Sequence, residues 1–89
     1  MNAIEIKVMS QHYIGTLLVK PVYEDFSLFS VYHKEELLGR AQPVKKQDTV
    51  LWYSHEINDK ELLNQIGEWI EHHFPLSEKS FKKIYNFKW

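Results

Sequence analysis

Polar and apolar residues alternate at the start of the chain. Ile4, Ile6 and Val8 are separated by Glu5 and Lys7, the period of two expected of a strand with one wet face. After Ser10-Gln11-His12, residues 13–20 are largely apolar and include Ile14, Thr16 and Val19. They predict a second strand, ended by Pro21, which has no N–H to give to a ladder. Glu24-Asp25 marks a turn, and residues 26–32, with Phe26, Leu28, Phe29, Val31 and Tyr32, predict a third strand. The polar tip His33-Lys34-Glu35-Glu36 lacks glycine, which predicts a loop of three to five residues in place of a tight primed turn. Residues 37–42 return as a fourth strand, with Gly39 marking a bulge and Pro43 an end. Lys45-Lys46-Gln47-Asp48 reads as the next loop, and Thr49-Val50-Leu51-Trp52-Tyr53-Ser54 has the strongest β composition in the chain. Connections this short pair consecutive strands antiparallel, as a meander.

From residue 59 the period changes. Leu62, Leu63, Ile66, Trp69, Ile70 and His73 or Phe74 follow helical spacing, while Gln65, Glu68 and His72 share the opposite face. Asn58 as cap, Glu61 three residues later and Ile57 against Leu62 give a capping box and a hydrophobic staple. Pro75 disfavours helix at Phe74, so the helix is expected over 59–74. Gly67 sits at the edge of the apolar stripe, where a missing side chain lets a helix approach a sheet closely. The last fifteen residues hold Lys79, Lys82, Lys83 and Lys88 against Glu78 alone, a balance of +3, so the net charge of −1 leaves −4 for residues 1–74. Ser77 caps a short helical turn there, and Tyr85-Asn86-Phe87-Lys88-Trp89 alternates like a strand.

With 89 residues, 44% of them hydrophobic and 26% charged, the chain is one domain with a modest core. A chain of this size buries only about 60–65% of its unfolded surface, so association would add needed burial. Near-zero net charge argues against a uniformly basic nucleic-acid surface. The absence of cysteine removes disulfides, thiolate catalysis and cysteine-based zinc sites. No basic, apolar leader opens the sequence and no run of eighteen apolar residues occurs, so a cytoplasmic protein without a membrane span is expected.

Catalytic and metal readings find little support. His72 and His73 point about 100° apart on a helix, and Glu68 with His72 supplies only two ligands, so no metal or cofactor is expected. Ser54-His55-Glu56 has the residue types of a triad, but strand neighbours point to opposite faces. Glu24-Asp25 and Glu35-Glu36 fall in turns, and the isolated Gly15, Gly39 and Gly67 make no phosphate loop. The chain is therefore read as no enzyme.

The Leu51-Trp52-Tyr53 strand, followed by residues 61–74 with their Ile-Gly-x-x-Ile-Glu pattern, resembles uncharacterised families of short bacterial proteins built of several strands and a helix. The likeness covers about a third of the chain. It implies the strands-then-helix order and no activity.

The expected fold is α+β: an antiparallel meander of about five strands, one main C-terminal helix (59–74) on one face, and the basic aromatic segment 75–89 packed on the body of a single domain. Apolar residues on both alternations of strands two, three and five outnumber what a helix roughly 24 Å long, at ~1.5 Å per residue, can cover. A non-catalytic domain that forms a homodimer or binds a protein partner through an apolar sheet face is the leading expectation. A small apolar ligand held between sheet and helix is the first alternative. The second, disfavoured by the charge balance, is single-stranded nucleic acid bound by the tail. The expected contact residues are Trp52, Tyr53, Lys82, Lys83, Tyr85, Phe87 and Trp89.

Overall fold

Five strands, β1 (Ile4–Met9), β2 (Ile14–Pro21), β3 (Phe29–His33), β4 (Glu36–Lys46) and β5 (Thr49–Tyr53), form one antiparallel sheet in chain order. They are followed by α1 (Lys60–His73) and a short α2 (Glu78–Phe81). The computed structural model describes residues 3–81. The architecture is the α+β meander that the alternation predicts.

Strand alternation sorts the side chains into two faces. Ile6, Val8, Leu17, Val19, Phe29, Val31, Ala41 and Trp52 turn inward and are buried against Leu62, Leu63, Ile66 and Ile70 of α1. Fully burying an aliphatic or aromatic side chain of this kind contributes about 1.5–3 kcal/mol, so this one layer supplies most of the driving force. Phe29 lies at its centre, with ring centroids 5.9 Å from Trp52 and 5.3 Å from Phe74. At Gly67 the helix comes down directly on Trp52: a Cβ there would lie 2.2 Å from the indole Cδ1. The same indole N–H donates to Glu71 Oε2 at 2.9 Å, so Trp52 is pinned at its ring face and its polar atom.

Several boundaries differ from the sequence expectation, each for a local reason. β3 starts at Phe29 because Phe26 takes a positive φ of 57° and Ser27 is held by the Asp25 carboxylate. The 33–36 connection is a two-residue turn, with Lys34 adopting the positive φ of 57° that glycine usually supplies. Gln47 does the same at the next turn, so Lys45 and Lys46 belong to β4. Register shifts between Val31 and Tyr32, which pair with Gly39 and Leu37, and Leu38 is the extra residue of a bulge beside Gly39.

Pro43 does not end β4; the strand runs through it to Lys46. Pro43 stands opposite Trp52 in the β4–β5 ladder. Antiparallel pairs alternate between hydrogen-bonded and non-hydrogen-bonded, and a residue without N–H fits the second kind. The bonded pairs are then Gln42 with Tyr53 and Val44 with Leu51. Pro43 points its nitrogen toward β3, which begins only at Phe29, the partner of Ala41.

The helix cap is Asp59 and not Asn58: its side chain accepts from Leu62 N–H at 3.1 Å. Glu61 consequently closes no capping box, and its carboxylate accepts from Gln11 N–H at 2.9 Å. At the other end Phe74, extended before Pro75, donates its N–H to the Ile70 carbonyl. Segment 75–81 rests on the body through buried Ser80, whose hydroxyl donates to the Asp25 carbonyl at 2.7 Å and accepts from Ser77 N–H at 3.1 Å. A Lys45–Glu78 ion pair at 3.1 Å ties α2 to β4.

Candidate interaction surface

The sheet face turned away from α1 carries an unusual share of the exposed apolar side chains. Large exposed hydrophobics among the described residues are Met9, Ile14, Tyr23, Leu37, Leu51, Tyr53 and Trp69. Met9, Ile14, Leu37, Leu51 and Tyr53 all fall on this outer face, as the pairings Met9–Ile14, Tyr32–Leu37, Val44–Leu51 and Gln42–Tyr53 require. They are 68%, 73%, 51%, 36% and 51% exposed respectively. Glu5, Lys7, Lys20, Ser30 and Arg40 are interleaved with them, so the face is mixed and not a continuous apolar sheet. Among the described residues no element packs across it; α1 contacts β1, β4 and β5 from the inner side.

The two sheet edges differ more than the two faces. The ladder alternation turns the N–H and C=O groups of Lys7 and Met9 to the free edge of β1, and α1 meets them with side chains. Gln65 Oε1 accepts from Met9 N–H at 2.8 Å, and its amide nitrogen donates to Met9 C=O at 2.5 Å. Trp69 Nε1–H donates to Lys7 C=O at 3.1 Å. Glu61, Gln65 and Trp69 stand four residues apart on one helical face; Gln65 and Trp69 meet the β1 edge, and Glu61 bonds Gln11 N–H just beyond it.

Asp59 joins the same seam. Ser10 Oγ–H donates to its carboxylate at 2.8 Å. That hydrogen bond, aided by Leu62 N–H and the nearby His12, holds its pKa below the ordinary 3.8.

At β5 the outward groups are the N–H and C=O of Val50 and Trp52, and no described residue bonds to them. A groove of about 290 Å³ runs beside the Tyr53 end of this edge, lined in part by Trp52, Leu63, Lys60 and Asn64. A second, of about 440 Å³, flanks the Val50 end between Asp48, Glu71, Phe74 and Phe81. Both open where β5 meets α1 at the edge of the domain, and deeper between sheet and helix Phe29, Val31, Ile66 and Ile70 are fully buried.

Of the expected contact residues, Tyr53 lies exposed on the outer face beside the open edge, while the Trp52 side chain is spent in the core. Lys82, Lys83, Tyr85, Phe87 and Trp89 lie outside the described residues. The sequence reading missed Gln65 and Trp69. Their spacing from Glu61 was visible, but that they face a strand edge was not. Among the described residues no three histidine, aspartate or glutamate side chains gather to hold a metal ion. No helix among them is long and apolar enough to cross a membrane. No protein-family model, curated protein or solved structure matches the chain.

Proposed function

We propose that this chain is a small non-catalytic interaction domain of the cytoplasm that works by associating with another protein surface, a second copy of itself included. The observation that carries the reading is the placement of Met9, Ile14, Leu37, Leu51 and Tyr53 on one face that no described element covers. Partner association would cover these exposed apolar side chains, as it does the apolar patches of other small domains. The carboxylate with a lowered pKa, Asp59, is engaged as a helix cap and loop anchor, a structural duty. The filled space between sheet and α1 withholds support from a ligand held there.

Sedimentation velocity from low to high micromolar concentration tests the reading, alone and against the double variant Ile14→Lys/Leu37→Lys. Mass that grows with concentration in the wild-type chain and not in the variant supports it. A wild-type chain that stays monomeric throughout and retains no partner overturns it.

A further inference from the structure

We infer that the open edge of β5 is the joining surface for a second copy of this chain, forming a two-fold dimer with the two β5 strands antiparallel across an axis at Leu51. The inference rests on the association reading above and makes it specific.

Three observations point to this edge and this occupant. The first is the contrast between edges: Gln65 and Trp69 bond the N–H and C=O of Met9 and the C=O of Lys7 at the β1 edge, whereas the outward groups of Val50 and Trp52 meet no described partner. Proteins ordinarily blunt such an edge with charge, proline or a bulge. Thr49-Val50-Leu51-Trp52-Tyr53 contains none of these, and its ladder to β4 is regular.

The second is register. With the axis at Leu51, Val50 of one copy stands opposite Trp52 of the other, and each such pair exchanges both its N–H···O=C bonds. Leu51 meets its own symmetry mate as a close non-hydrogen-bonded pair, and Thr49 meets Tyr53. These outer-face side chains are exposed in the single chain, so pairing covers what is now wet.

The third is charge. The groove at the Tyr53 end carries Lys60, and the groove at the Val50 end carries Asp48 and Glu71 together with Lys45, whose ammonium is paired with Glu78, so its balance is acidic. A two-fold axis between these ends sets the Lys60 end of each copy against the Asp48–Glu71 end of the other. An unrelated extended peptide would have no reason to match that polarity, whereas a second copy does so by symmetry.

The experiment combines sedimentation equilibrium with amide exchange on the full chain at low and high protein concentration. The expected result is a dimer whose Val50 and Trp52 amides become protected as concentration rises. Leu51→Lys places like charges face to face at the axis and should weaken the dimer by more than about tenfold. Because Leu51 points outward, that variant should keep the monomer's circular dichroism. Lys60→Glu should weaken the dimer, and Lys60→Glu with Asp48→Lys should restore it.

Association that survives Leu51→Lys without added protection at Val50 and Trp52 overturns the edge and leaves the broader reading standing. Protection of those amides at every concentration means the chain's own residues occupy the edge, which also overturns it. A strict monomer overturns the dimer, and the broader reading falls with it only where the chain also retains no partner.

Discussion

Gln65 holds Met9 by both of its backbone groups, its amide oxygen taking the N–H at 2.8 Å and its amide nitrogen giving to the C=O. A single side chain on α1 thereby mimics the residue of an adjacent strand. Everything at the β1 edge depends on this grip and on the Trp69 contact one helical turn further along.

Replacing Gln65 by alanine should therefore cost about 1–2 kcal/mol, the net worth of two solvent-accessible hydrogen bonds. The loss should be read from urea unfolding. Amide exchange at Met9 should accelerate in the same variant while exchange in β3 is unchanged. Unaltered exchange at Met9 would show that the edge is closed by other means.

Gly67→Ala should destabilise the fold even though alanine is the better helix former. The added methyl would sit 2.2 Å from the Trp52 ring, and overpacking of this kind costs about 1–3 kcal/mol, against about 1 kcal/mol of helix propensity gained. A denaturation midpoint that rises in this variant would contradict the observed contact.

The lowered pKa of Asp59 fixes the sign of a pH effect. Ser10 and the Leu62 N–H favour its charged form in the folded chain, so its contribution is present above the unfolded value near 3.8 and fades as pH falls through the lower folded value. Stability should thus decline on acidification below about pH 4, and Asp59→Asn should flatten that part of the profile in thermal melts between pH 2 and 6.

Ser80→Ala should loosen the whole 75–81 segment. The hydroxyl is buried and bridges Ser77 N–H to the Asp25 carbonyl, and leaving such groups without a partner costs about 1–3 kcal/mol. Proteolysis after Lys79 should speed up before the core unfolds. Equal cleavage rates in both proteins would refute the role.

How much of this was legible beforehand follows from the range of each cause. The order of strands, the Leu62, Leu63, Ile66 and Ile70 stripe of α1 and the intimate seat of Gly67 are written in periodicity and residue size, which act over a few residues, and those expectations held; Trp69, expected in the same stripe, lies exposed at the β1 edge. Pro43 misled because a proline's tolerance depends on whether the neighbouring strand extends past it, a fact set by β3 starting at Phe29. Lys34 and Gln47 misled because the ladder on either side of a turn enforced a positive φ that neither residue favours by itself. The shift of the cap from Asn58 to Asp59 came from Ser10, 49 positions away, which only the fold brings near. The contrast between the two sheet edges was beyond reach for the same reason, since it arises where a helix face meets a strand lying some sixty residues earlier in the chain.

That contrast limits how large any assembly can grow. A building block able to add neighbours at both ends polymerises without a stopping point, as fibres do. Here α1 side chains already occupy backbone groups of Met9 and Lys7 at one of the two ends. If β5 joins as proposed, two copies would exhaust each other's capacity in one step, giving a closed pair in place of the runaway growth that threatens any protein with a bare β strand.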